Sequence, residues 1–219
     1  HLPTPQTYQK WAAAAPAGFR FAVKGSRYIT HILRLQGADE AWAAFWRNAR
    51  PLGERLGPVL FQLPPGFRAD PERLARFLAV VRKRSPGVRA AFEFRHPSWF
   101  DEPIYRLLRD DGAALCIAHS TRYPCVEEVT ADWLYYRFHG PEHLFGSRYT
   151  ERELRHWAGR LRTQLAAGQA VYAYFNNDVK GYAVENARRL RELLRAPETK
   201  RSRPRSSPGA YRALEDQTR

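Results

Sequence analysis

Short runs of β-branched and aromatic residues recur along this chain, each followed by a polar loop and an amphipathic stretch long enough for a helix. The runs fall at residues 19–24, 58–63, 89–95, 113–119, 133–139 and 170–176. Helical stretches fall at residues 38–50, 71–84, 103–111, 150–167 and 183–194. Strands separated by helices of ten or more residues form βαβ units, and therefore a parallel sheet. Local signals agree with these boundaries. Asp70-Pro71 supplies an N-cap and a first-turn proline, Thr150 stands where the fourth helical stretch begins, and Gly87, Gly112 and Gly168 follow helical stretches.

The expected architecture is a TIM-type (β/α) barrel, incomplete in this chain, with about six of eight strands. A closed barrel has eight strands over about 250 residues, and each βα step takes roughly 30. Residues 1–195 therefore fall about two steps short. The opening His1-Leu-Pro-Thr-Pro-Gln-Thr-Tyr-Gln-Lys-Trp11 reads as the loop and helix that follow a further strand. An open doubly wound sheet is the alternative, and no glycine-rich phosphate turn follows any run to support its dinucleotide-binding form. From residue 196 to 219 the chain loses its periodicity and reads as a flexible basic tail.

In a barrel strand alternate side chains face the lumen, and those at the C-terminal end form the floor of the site. Stepping by two along each run gives a recurrent result. Lys24 shares the phase of Ala22, and Gln62 that of Leu60. Glu93 and Arg95 follow Ala91, Arg137 and His139 follow Tyr135, and Asn176 and Asp178 follow Tyr172 and Tyr174. Burying such charges is expensive unless they pair, so Glu93 is expected to pair with Lys24, Arg95 or Arg137. His31, His96 and Asn177 add polar groups beyond what neutralisation needs, which argues against a purely structural ion-pair layer.

Thirty-six Lys and Arg against 22 Asp and Glu give a formal charge of +14. Arginine-rich helix faces, as at Arg188, Arg189, Arg191 and Arg195, account for much of that as solvated surface. The remainder would attract a polyanion. Cys116 and Cys125 make no framework and read as unpaired thiols in a reducing, cytoplasmic setting. No apolar run approaches the ~18–20 residues that span a bilayer.

The motifs Phe19-Arg-Phe-Ala-Val-Lys-Gly-Ser-Arg-Tyr-Ile-Thr-His31, Gly57-Pro-Val-Leu-Phe-Gln-Leu-Pro-Pro65 and Phe92-Glu-Phe-Arg-His-Pro-Ser-Trp-Phe100 occur in that order. Trp133-Leu-Tyr-Tyr-Arg-Phe-His-Gly140 and Val171-Tyr-Ala-Tyr-Phe-Asn-Asn-Asp178 follow. Together they resemble the uncharacterised YecE-like family, domain of unknown function 72. The resemblance runs from Leu2 to about Leu194 and implies a TIM-like barrel. The family pattern opens with two further strands, the first with a Gly-Thr-Ser-Gly-Trp type motif, that this chain lacks. It also often has an acidic residue where His119 precedes Ser120.

Three functions compete. The first is an enzyme or binding protein for an anionic, phosphate-containing ligand. Lys24, Arg95 and Arg137 would hold the anion, and His31, Gln62, His96, Asn176 and Asn177 would add contacts. Glu93, His139 and Asp178 are its catalytic candidates. A loop, Phe145-Gly-Ser-Arg-Tyr149, would close over the pocket or serve as an ordinary connection. The second is a non-catalytic nucleic-acid binding protein, for which the basic charge, the tail and exposed aromatics such as Trp99 or Tyr149 would speak. Trp99 reads better as a packed loop anchor. The third is a metal-dependent hydrolase of endonuclease-like barrel type, using His31, Glu93, His96, His139 and Asp178. No HxH or HExxH spacing supports it, local cations would repel a divalent ion, and no metal ligand is assigned. The sequence leaves open whether the chain is an enzyme and names no cofactor.

Overall fold

A computed structural model describes residues 2–196, so all of the expected tail except Ala196 lies outside the described residues. The elements are α1 (Pro5–Ala14), β1 (Phe21–Lys24), α2 (Asp39–Ala49), β2 (Leu56–Gln62), α3 (Pro71–Arg84) and β3 (Ala90–Glu93). Then come α4 (Glu102–Asp110), β4 (Ala114–His119), β5 (Trp133–Phe138), α5 (Glu151–Ala166), β6 (Ala170–Phe175) and α6 (Tyr182–Arg195). All six expected strands form, and the opening segment does contain a helix. Its Thr4 side chain accepts from the Thr7 amide, and Pro5 fills the first turn, where a missing N–H is harmless. The Asp70 carboxylate caps α3 through the Arg73 amide, and Thr150 and Glu153 cap α5 reciprocally.

The strands lie in the order β1-β2-β3-β4-β5-β6, every neighbouring pair parallel. Helices return the chain between successive strands except between β4 and β5, where residues 120–132 cross without one, and all six C-terminal ends gather on one face. Among the described residues β1 and β6 each have a strand neighbour on one side only, so the sheet is an arc of a barrel.

The alternation read from the sequence divides the core as expected. Phe61, Phe92 and Leu115 face α2, α3 and α4, while Tyr136, Phe138 and Leu134 face α5 and α6. The other phase forms the lumen: Leu60, Ala91, Ala114, Cys116, Ala118, Trp133 and Tyr135, with Ala22, Tyr172 and Tyr174 against them. At its N-terminal end Arg89 lies between the Trp133 and Tyr172 rings and donates to the Tyr172 hydroxyl at 2.7 Å.

Burial of aromatic area on the helix side supplies most of what holds the arc together. Phe61, with no exposed surface, packs within 5.4 Å of the Trp42, Phe77 and Phe92 ring centres. Phe61→Ala is expected to lower unfolding free energy by about 3–5 kcal/mol. Val184→Ala, at a position 55% exposed, should stay within roughly 0.5 kcal/mol. Urea denaturation midpoints of the two variants check this.

Candidate active site

The centre of the C-terminal face is Glu93, the last residue of β3, whose side chain has no exposed surface. Oε1 accepts from Arg95 Nε and lies 2.9 Å from Arg95 Nη2, and Oε2 accepts from Arg137 Nη1 at 2.5 Å. Arg95 and Glu93 project to the same side because they are two residues apart. Arg137 reaches the same point from β5. Burial works against a charge on Glu93, but the neighbouring His139, Arg137 and Arg95 overcome it and hold the carboxyl well below the usual carboxylate range. Burial also works against the charge on Arg137, and Glu93 offsets that and holds it protonated.

Lys24 ends β1 and donates to Gln62 Oε1 at 3.0 Å, while Gln62 Nε2 donates to the Leu63 carbonyl. Burial lowers the Lys24 pKa, Arg137 lowers it further, and Glu93 opposes them. His31 sits in a π-helical turn, Tyr28–Ile32, a form often found at functional sites. Burial lowers its pKa, then Arg27, Lys24 and Arg95 add to the effect, so this histidine feels the same cations. The Thr30 hydroxyl donates to the Ser26 carbonyl and must therefore accept from His31 Nδ1, which leaves the Nε2 lone pair free.

His139 follows β5 and is fully buried. Asn176 Nδ2 lies 3.3 Å from Nδ1. An amide nitrogen only donates, so the ring proton belongs on Nε2. That atom has no hydrogen-bond partner and stands 3.7 Å from Glu93 Oε1. The Phe145 ring meets His139 edge-on at 5.3 Å.

The other expected residues serve the loops. His96 Nδ1 accepts from the Ser98 amide and caps the turn Pro97–Trp99. Asn177 donates to the Ser147 carbonyl and to Asn186 Oδ1, tying the β5–α5 loop to α6. Asp178 is exposed at the start of the turn before α6. Among the described residues no three His, Cys, Asp or Glu side chains gather as metal ligands, and of the five expected for the hydrolase Glu93 and His139 are neighbours without a third beside them. No helix among them is long and apolar enough to cross a membrane.

Sequence reasoning missed Tyr123, whose ring lies 4.4 Å from the Arg95 guanidinium carbon and holds it from the loop after β4. It also missed the pair that fixes the β5–α5 loop. The Tyr149 hydroxyl accepts from the Gly140 amide at 3.3 Å and lies 2.7 Å from His119 Nδ1. Loop residues follow no period, so nothing in the spacing marks them. Trp99 and Tyr149, considered as exposed aromatics for nucleic acid, are both buried. Trp99 stacks on Phe94 at 4.6 Å and donates to the Phe67 carbonyl, as a loop anchor does.

Glu93→Gln should leave two half-neutralised arginines in the lumen and lower stability by about 3–5 kcal/mol. Adding Arg137→Met should recover part of that loss in a double-mutant cycle read by denaturation. A separate effect concerns pH. Burial lowers the pKa of His119, so the unfolded chain binds protons first as pH falls below about 6.5. Stability should be full above that pH and decline toward pH 5. Thermal unfolding of His119→Gln should show a shallower decline across the same window.

With the geometry in place, three comparisons bear on descent. A family model described as "Protein of unknown function DUF72" matches residues 1–210. The UPF0759 protein YunF of Bacillus subtilis (strain 168) is 27% identical, the match covering 85% of this chain and 77% of that one. A DUF72 family protein from Thermotoga maritima MSB8 superposes with a TM-score of 0.76 at 28% identity, covering 89% of this chain and 80% of its own. A second, from Enterococcus faecalis V583, gives 0.75 at 23% identity, covering 90% and 86%, and speaks to the fold alone. The chain belongs to the DUF72 family, and its incomplete barrel carries that family's TIM-like architecture.

Proposed function

We propose that the C-terminal face is a receptor for a small anionic, phosphate-containing ligand. The observation that carries this reading is an imbalance of charge. Arg95 and Arg137 bond one buried carboxylate, Lys24 feels the same charge while it bonds Gln62, and each keeps donors that nothing among the described residues takes up. Preorganised donors around a partly dry space bind anions without having to reorganise. Tyr135 and Tyr174 line the lumen with ring centres 5.1 Å apart, and burial pushes the Tyr174 phenol up to about 12, so it stays neutral.

The catalytic roles divide differently from their first assignment. A carboxylate held ionised by two arginines is a weak base, so Glu93 acts as the clamp that positions Arg95 and Arg137. His139 turns Nε2–H toward Glu93 and helps to hold that carboxylate ionised behind the arginines. His31, neutral and with a free lone pair on Nε2, is the better proton acceptor. Asp178 stands exposed, and no role at the centre is assigned to it.

Inorganic phosphate should raise the melting temperature of the full chain. Arg137→Gln should reduce that rise at least tenfold in apparent affinity, and deletion of residues 200–205 should leave it unchanged. A nucleic-acid module would give the reverse: steep salt dependence that weakens when residues 200–205 are removed. Native mass spectrometry of the purified chain would identify any ligand retained from the cell.

A further inference from the structure

The anion reading can be taken one step further, because the charges and free donors at the site are specific enough to choose among phosphates. Lys24, Arg95 and Arg137 bring three positive charges, and Glu93 returns one negative charge. The charges acting on Lys24 are Arg137, Glu93, Arg95 and Arg27, and those acting on His31 are Arg27, Lys24 and Arg95. Glu93 is the one acidic group among the strongest of these influences. The cluster carries two uncompensated positive charges, before Arg27 at its rim is considered.

The donors left over are arranged around the same centre. Arg95 turns Nε and Nη2 to Glu93, which leaves Nη1 free. Arg137 uses Nη1 and keeps Nε and Nη2. Lys24 engages one of its three N–H groups with Gln62. His139 Nε2 is fully buried 3.7 Å from Glu93 Oε1 and faces that carboxylate from behind. Lys24 comes from β1, Arg95 from just after β3 and Arg137 from β5, so the free donors stand on three strands of the same C-terminal face.

We propose, resting on the anion-receptor reading, that the site is built for the dianionic end of a phosphate monoester and discriminates against phosphate diesters. A monoester carries three terminal oxygens and a charge near −2 above its second pKa of about 6. Three oxygens meet three cationic vertices, and two negative charges cancel the surplus. A diester offers two free oxygens and one charge, leaves one cation of the cluster without a counterion, and turns a second ester oxygen, a poor acceptor, toward the remaining donors. The same mismatch disfavours a nucleic-acid backbone, which is a chain of diesters.

The test is isothermal titration of the full chain with methyl phosphate and with dimethyl phosphate at pH 8, where the monoester is dianionic. Methyl phosphate should bind at least tenfold more tightly. Lowering the pH to 5 should weaken methyl phosphate and leave sulfate, a dianion throughout, no weaker. Because Arg137 variants disturb the Glu93 clamp, the variant used is Lys24→Met on the edge strand β1, which should erase most of the preference for the monoester. Equal or tighter binding of dimethyl phosphate, or displacement of methyl phosphate by equimolar single-stranded oligonucleotide, would overturn the monoester assignment while leaving an anion site in place. Absence of heat with methyl phosphate, sulfate and dimethyl phosphate alike would overturn both the assignment and the reading beneath it.

Discussion

A buried carboxylate shared by two arginines is the constraint on which the C-terminal face depends. Glu93 has no exposed surface, and its two oxygens reach partners from its own strand end and from β5, two strands away. Neither arginine would be tolerated there alone, since an uncompensated charge in the lumen is expensive. The pair of bonds also spans from β3 to β5 on the lumen side of the sheet. The groups that neutralise Glu93 are also those with donors to spare among the described residues.

The helix side of the sheet makes that arrangement possible. Phe61, Phe92, Phe138 and their neighbours fill the space between strands and helices with packed rings, which fixes strand register without any help from the lumen. The lumen phase then sets small side chains beside its aromatics. Ala22, Ala91, Ala114 and Ala118 leave room where a larger aliphatic set would have closed it.

The architecture was legible because it rests on period. Alternation in residues 89–95 and 133–139 assigned Phe92 and Phe138 to the helices and Glu93 and Arg137 to the lumen, and the structure keeps that division. Legibility ended one or two residues beyond each strand. Counting by two placed Asp178 with Tyr174, yet β6 ends at Phe175 and the chain turns before Asp178, which lies exposed. Asn177 and His96 read as ligand contacts because they are polar and near strand ends, whereas their bonds go to Ser147, Asn186 and Ser98. Tyr123 was silent for the opposite reason. Its contact with Arg95 spans separate loops, and a cation over a ring leaves no trace in local spacing.

Gly140 follows His139 directly, with φ at 106°, and a β-carbon there would stand 2.5 Å from the His143 carbonyl oxygen. Its amide is also the one that meets the Tyr149 hydroxyl. Sequence drift at this position is therefore blocked twice, by backbone conformation and by lack of room. Any side chain would push the loop outward, carry Phe145 off His139 and admit water to a ring nitrogen that is now dry. A residue with no functional group of its own thus sets how dry the buried end of this face stays, and divergence among relatives should reach the charged groups of the face before it reaches this glycine.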